Sequence, residues 1–417
     1  MAAKDNTGIS KEWKDVVLSP GDDTSFLLRP NQLLVAPGDV DRAKQDLDAA
    51  GWVLDDTGKT SGALRFTLPG GNGTAQEVLD TIAKIRQDTA GTVRIAPNHV
   101  LVGEQTPVAF TGEPRIQGGN ATCARPEPRP KTMPLRTAQP ADGQGVTIGV
   151  LDTGLFKHPW LAGPIVTRVG NVADTWDEDG DGFGDAEAGH GTFVSGLIRQ
   201  VAPSAHIADL KVLDSHGVGD DFTVAQAMEQ QLPPAVTIVN LSLGGYTKDN
   251  AAPLAIAGAL KLMRGRGGAV VAAAGNAGKA RPFWPAAFKQ VVGVGAVDFV
   301  APHWIRPKWS NYGYWVDAVA RGVNVASAYA PDNTTKFVQP PDPTVTTRSF
   351  NGWARWDGTS FSTPTVAAYL ARLITRHGFA SAQAAVDYLL STAPPAPQLD
   401  FPLAVLVDDL DPGVPLP

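Results

Sequence analysis

Cysteine is almost missing from this 417-residue chain: Cys123 stands alone, so no disulfide can close within it. A lone thiol suits a reducing compartment, where disulfides are rare, without requiring one. Cys123 lies among Arg, Pro and Gly in what reads as linker, and reactivity would need a special environment. No run approaches the roughly 18 apolar residues of a membrane span. The first twenty residues carry Lys4, Asp5, Lys11, Glu12, Lys14 and Asp15 and no apolar core of a secretory leader. A cytoplasmic location is therefore expected, with export by another route left open. Net charge is −7, and no basic stretch is interleaved with aromatics, so nucleic acid has no electrostatic footprint here. Neither a His-Glu-x-x-His run nor a Cys cluster exists to hold a catalytic zinc. No internal repeat is present.

Apolar residues supply 43% of the chain, enough for a large core and for two or three domains at this length. Residues 1–28 are polar. Residues 29–105 read strand, helix, strand, strand, helix, strand: Asn31 to Ala36, Asp39 to Ala50, Trp52 to Leu54, Leu64 to Leu68, Thr74 to Gln87 and Val93 to Val102. That is the ferredoxin-like order of an α+β domain. Residues 106–143 are rich in Pro, Gly and charge, cannot bury a core and are open to proteases. Over 144–393, near-continuous apolar strands (Val146 to Leu151, Ala205 to Val212, Val236 to Leu241, Ala269 to Ala274, Val291 to Val297) alternate with helical segments. Such alternation predicts an α/β domain of three layers with a mostly parallel central sheet. Residues 394–417 read as an extended Pro-rich tail.

Three short motifs carry an acid, a base and a nucleophile in chain order: Asp152-Thr153-Gly154, Gly189-His190-Gly191-Thr192, and Gly358-Thr359-Ser360-Phe361-Ser362-Thr363-Pro364. Asp152 follows an apolar strand, where open α/β sheets bind ligands. A serine hydroxyl needs a neighbouring base to become a nucleophile, and a neutral imidazole supplies it near pH 7. The order Asp, His, Ser is that of subtilisin and differs from the chymotrypsin and α/β-hydrolase orders. With these motifs the chain resembles the subtilisin family of serine peptidases over about 145–392. It does so more loosely over 30–105, which looks like that family's inhibitory propeptide.

The resemblance implies Asp152, His190 and Ser360 as a triad and no cofactor for the chemistry. Asn276, in Ala272-Ala273-Ala274-Gly275-Asn276, matches the family's oxyanion-hole asparagine. Ser242, Leu243 and Gly244 resemble one edge of the substrate groove, Gly217, Val218 and Gly219 the opposing edge, and Ala273 and Gly275 line it. A peptide or protein substrate held between two such edges is bound by its backbone. The implied function is a serine endopeptidase made as a self-inhibited zymogen, its own N-terminal domain the intramolecular inhibitor, with cleavage somewhere within about 101–140. Two other readings stand beside it: a processing peptidase dedicated to one cellular peptide, and a permanently plugged binding scaffold.

Asp177, Asp179, Asp181 and Asp185 fall at positions 1, 3, 5 and 9 of a calcium-type loop with Gly182 at position 6. The Glu expected at position 12 is Ala188, with Glu187 one place early. A structural calcium and a solvated acidic loop both remain open. Three departures from the family pattern stand out: Ala320-Arg321-Gly322 in place of Ala-Pro-Gly, Thr365 in place of His, and a short segment between Gly278 and Trp284.

Overall fold

The computed structural model describes residues 17–18, 25–71, 73–103, 127–128, 138–300, 302–330, 333–339 and 342–407. The start of the chain, most of the 106–143 linker with Cys123, and the last ten residues lie outside that description.

The N-terminal domain is an antiparallel sheet with two helices on one face. Its strands run in the order Ile95–Val102, Leu27–Val35, Leu64–Thr67, Val53–Lys59, the arrangement expected for the ferredoxin-like order. The helices Val40–Ala49 and Ala75–Asp88 turn Ala43, Leu47, Val78, Ile82 and Ile85 onto Leu28, Leu33, Val35 and Phe66. Fully burying one such side chain contributes about 1.5–3 kcal/mol, which fixes the helices to that face. The second helix starts where it does because Thr74 and Glu77 form a reciprocal capping box.

The larger domain is built on eight parallel strands. Their order is Val405–Leu406, Ala318–Arg321, Val292–Val300, Ala269–Ala273, Val236–Leu241, Thr147–Asp152, His206–Lys211 and Val166–Arg168. Helices His190–Val201 and Thr359–His377 cover one face through Phe193, Leu197, Phe361, Val366 and Leu370. Helices Asp221–Gln226 and Leu254–Gly265 cover the other through Phe222, Ile256 and Leu260. Both faces being covered explains why the strands read as unbroken apolar runs. Beyond 394 the described residues are packed rather than extended: Val405–Leu406 adds an edge strand, and Phe401 is fully buried against Gly295. The helix Ala382–Thr392 and the strands Val325–Ala328 and Trp353–Trp356 have no counterpart in the sequence reading. Among the described residues, no helix is long and apolar enough to cross a membrane.

The two domains share a core. Leu34, Ala63 and Leu101 of the small domain join Phe222, Ala255 and Leu260 of the large one. At the closest approach Gly62 lies on the first turn of the helix Leu254–Gly265, where any Cβ would strike the Leu254 carbonyl.

Candidate active site

Asp152 ends a central strand, and its neighbour strand holds it in register with Lys211. Its Oδ1 accepts from His190 Nδ1 at 2.7 Å and from the Thr153 N–H at 2.8 Å. Both side chains are fully buried. His190 opens a helix, and the glycines beside it are steric requirements. Gly189 has φ 87°, and a Cβ on Gly191 would strike the Gly154 carbonyl. The ring packs edge-on to Trp356 and tilted against Phe361, at 5.6 and 5.4 Å between centroids. Burial opposes its cation, but the Asp152 and Glu187 carboxylates outweigh burial and lift its pKa to about 9.

Ser360 lies in the first turn of the helix Thr359–His377, one residue before the Phe361 that touches His190. Proline at 364 has no N–H for the Ser360 carbonyl four residues earlier. Ser242 Oγ donates to that carbonyl instead, at 2.8 Å, and is itself held by Asn240 Nδ2 at 3.0 Å. Ser360 Oγ donates to the Ser242 carbonyl at 3.3 Å. Among the described residues His190 Nε2 has no hydrogen-bond partner. The acid–base link expected in series is therefore made, while the base–nucleophile hydrogen bond is not formed in this state.

Asn276 follows the strand Ala269–Ala273. Its Oδ1 accepts from the Thr359 N–H at 3.0 Å and from Thr359 Oγ1 at 2.9 Å. The carbonyl end is thus fixed on the residue before Ser360, and the amide N–H donors face the other way. Gly275, at φ 92°, donates to Thr359 Oγ1 at 3.0 Å.

The groove edges lie on either side of the small domain's last strand. Val218, Gly219 and Asp220 pair antiparallel with Val102, Leu101 and Val100. On the opposite side Val102 exchanges both main-chain bonds with Gly244, at 2.8 and 2.9 Å. Gly103 donates to the Gly217 carbonyl at 2.9 Å. The ring of Phe283 lies beside both Gly244 and Gly275, where a Cβ on either would meet it. Ala273 is buried in the strand below.

A model of the subtilase family matches residues 143–412. This chain belongs to the subtilase family. Subtilisin Savinase of Lederbergia lenta is 34% identical over 234 residues, 54% of this chain and 74% of that protein. Thermitase of Thermoactinomyces vulgaris is 32% identical over 250 residues, 57% and 77%. The thermophilic serine proteinase of Bacillus sp. (strain AK1) is 32% identical over 243 residues, and the subtilase spans only 53% of its length. The crystal structure of fervidolysin from Fervidobacterium pennivorans, a keratinolytic enzyme related to subtilisin, superposes with a TM-score of 0.62. At 19% identity and over 92% of this chain and 60% of that one, it shows a shared fold.

In this subtilase the acidic loop divides. Asp177, Asp179 and Asp181 bring carboxylate oxygens within 4.8 Å of one another, while Asp185 groups with Asp179 and His216. Asp185 is turned inward, its Oδ2 accepting from Ser215 Oγ and the Glu178 N–H. The Asp177 carboxylate accepts the N–H groups of Asp181 and Gly182 at 3.0 and 2.9 Å. Oxygen donors gathered on a tight loop fit a hard cation.

Three buried acids were not singled out for the site by sequence reasoning. Asp174 Oδ2 accepts from Thr153 Oγ1 at 2.8 Å and the Gly189 N–H at 2.7 Å, tying the two motifs together; burial pushes its carboxyl up to about 7. Asp209 is driven well above the ordinary range by burial and the nearby Asp152 and Asp174. Glu187 Oε2 lies 3.8 Å from His190 Nε2. Its spacing of three residues before His190 was the one available signal.

Proposed function

We propose that this subtilase is a serine endopeptidase made as a self-inhibited zymogen. The observation that carries the reading is the buried His190–Asp152 pair at 2.7 Å beside a groove already filled by a backbone segment, Val100 to Gly103. Ser360 Oγ attacks the scissile carbonyl, and His190 Nε2 takes its proton. Asp152 holds the imidazole tautomer and stabilises the cation without taking the proton. Asn276 and backbone amides stabilise the oxyanion in a dry site. His190 then returns the proton to the leaving amine. Water, deprotonated by the same nitrogen, hydrolyses the acyl-enzyme.

The strand register supports a cleavage position. Val102 lies opposite Gly244, so a substrate peptide paired in the same antiparallel register would set its second residue onward against Ser242. The Ser242 carbonyl is the acceptor for Ser360 Oγ. A peptide in this register presents to Ser360 the bond after that residue, here Glu104–Gln105. Incubating the full chain and measuring intact masses tests this. A released fragment 1–104 is expected; a first cut elsewhere, or none, opposes it. Fluorophosphonate labelling of Ser360 separates a peptidase from a plugged scaffold, and cleavage of a peptide library separates a general from a dedicated enzyme.

A calcium ion on Asp177, Asp179 and Asp181 is proposed as structural, its role being to neutralise three crowded carboxylates. No step of the chemistry uses it.

A further inference from the structure

We infer that Glu187 makes the groove selective for glycine at the residue one before the cleavage residue, the position held here by Gly103. This deepens the endopeptidase reading and rests on it.

Glu187 is fully buried between three neighbours. Behind it stands the groove edge: Gly217 has φ 82°, and a Cβ there would collide with Glu187 Cγ. Beside it stands His190, whose Nε2 is 3.8 Å from Oε2. In front stands Gly103, where a Cβ would lie 3.1 Å from Oε2 and 3.2 Å from Cδ. Those separations are tighter than ordinary carbon–carbon and carbon–oxygen contacts, so any side chain needs the carboxyl group to yield. Yielding is hampered on each side. Retreat toward Gly217 is blocked by backbone, and a swing toward Nε2 intrudes on the nitrogen that must receive the serine proton.

The backbone near Glu187 is pinned as well. Its N–H donates to the Ser215 carbonyl at 2.9 Å, and its carbonyl accepts the His190 N–H at 2.9 Å. The carboxyl group is thus lodged on a fixed frame. Gly103 lies against it because glycine alone leaves that volume empty while keeping its N–H on Gly217. The substrate class that fits is an extended peptide with glycine immediately before the cleavage residue.

The test uses the full chain after self-cleavage and removal of the released N-terminal fragment, with internally quenched peptides Leu-Val-Xaa-Glu-Gln-Thr, Xaa being Gly, Ala, Leu or Lys. Wild type is expected to favour Gly over Ala by about tenfold in kcat/KM, and over Leu by more, the scale on which one methylene is discriminated. Glu187→Ala should bring the four substrates within about threefold of one another. Glu187→Gln, equal in size, should keep the glycine preference, and it covers the case in which the alanine variant does not fold. Equal turnover of the Gly and Leu peptides by wild type overturns the inference, as does a preference for Lys that Glu187→Gln abolishes. If no peptide is cleaved and a fluorophosphonate fails to label Ser360, the peptidase reading falls and takes this inference with it. Labelling with indifference to Xaa sinks the inference alone.

Discussion

Gly103 donates its N–H to the carbonyl of Gly217 at 2.9 Å, so the last described residue of the small domain lies against an edge of the large one. Backbone pairing on both sides of Val102 leaves no free edge for another peptide. Residues 1–105 added separately should therefore inhibit the processed enzyme at micromolar concentration. Casein hydrolysis measured against added fragment checks this, and undiminished turnover tells against self-inhibition.

Ser360→Ala removes the hydroxyl that stands next in the chain to Phe361, the residue packed on the His190 ring. Both self-cleavage and casein hydrolysis should disappear, while the fold persists because, among the described residues, Ser360 Oγ makes just one hydrogen bond, at 3.3 Å. Retained hydrolysis would refute the assignment of the nucleophile.

Only neutral imidazole can accept the serine proton, and with the groove filled the pKa of His190 is about 9, above its usual 6.5. Self-cleavage should accelerate as pH rises from 6.5 through about 9. Stability should move the opposite way: the raised pKa contributes fully below 6.5 and is lost as pH passes about 9. Initial rates and melting temperatures across that window measure the two. A rate that is flat there would show that His190 is not the titrating base.

Asn276→Ala removes the amide whose far end is anchored on Thr359. The expected loss is about 10²–10³ in kcat with little change in KM, the scale known for this donor in subtilisin itself. Steady-state kinetics on one peptide substrate decide it; a pure KM effect would assign Asn276 to substrate binding.

Chelation should lower the melting temperature if calcium sits on Asp177, Asp179 and Asp181. Titration calorimetry of the chelated protein with calcium gives the direct answer. Absence of heat would leave the loop a solvated acidic turn.

The sequence alone determined the parts that rest on short-range chemistry. Asp152, His190 and Ser360 each stand in a frame that only glycine, or a helix start, makes possible, and such frames are local. The parallel sheet was equally plain, because strands buried on both faces must be apolar throughout. The ferredoxin-like order could be read from the alternation of periods two and 3.6 in residues 29–105. Only tertiary structure decided what fills the groove. It also decided that Ser242 Oγ replaces the N–H that Pro364 lacks, and that Asp174 joins Thr153 to Gly189. It set Asp185 apart from Asp177 and Asp181, and brought Glu187 against Gly103. The reason is distance along the chain. Gly103 and Glu187 are unremarkable in their own neighbourhoods, and their contact exists because two domains share a core and one strand joins them.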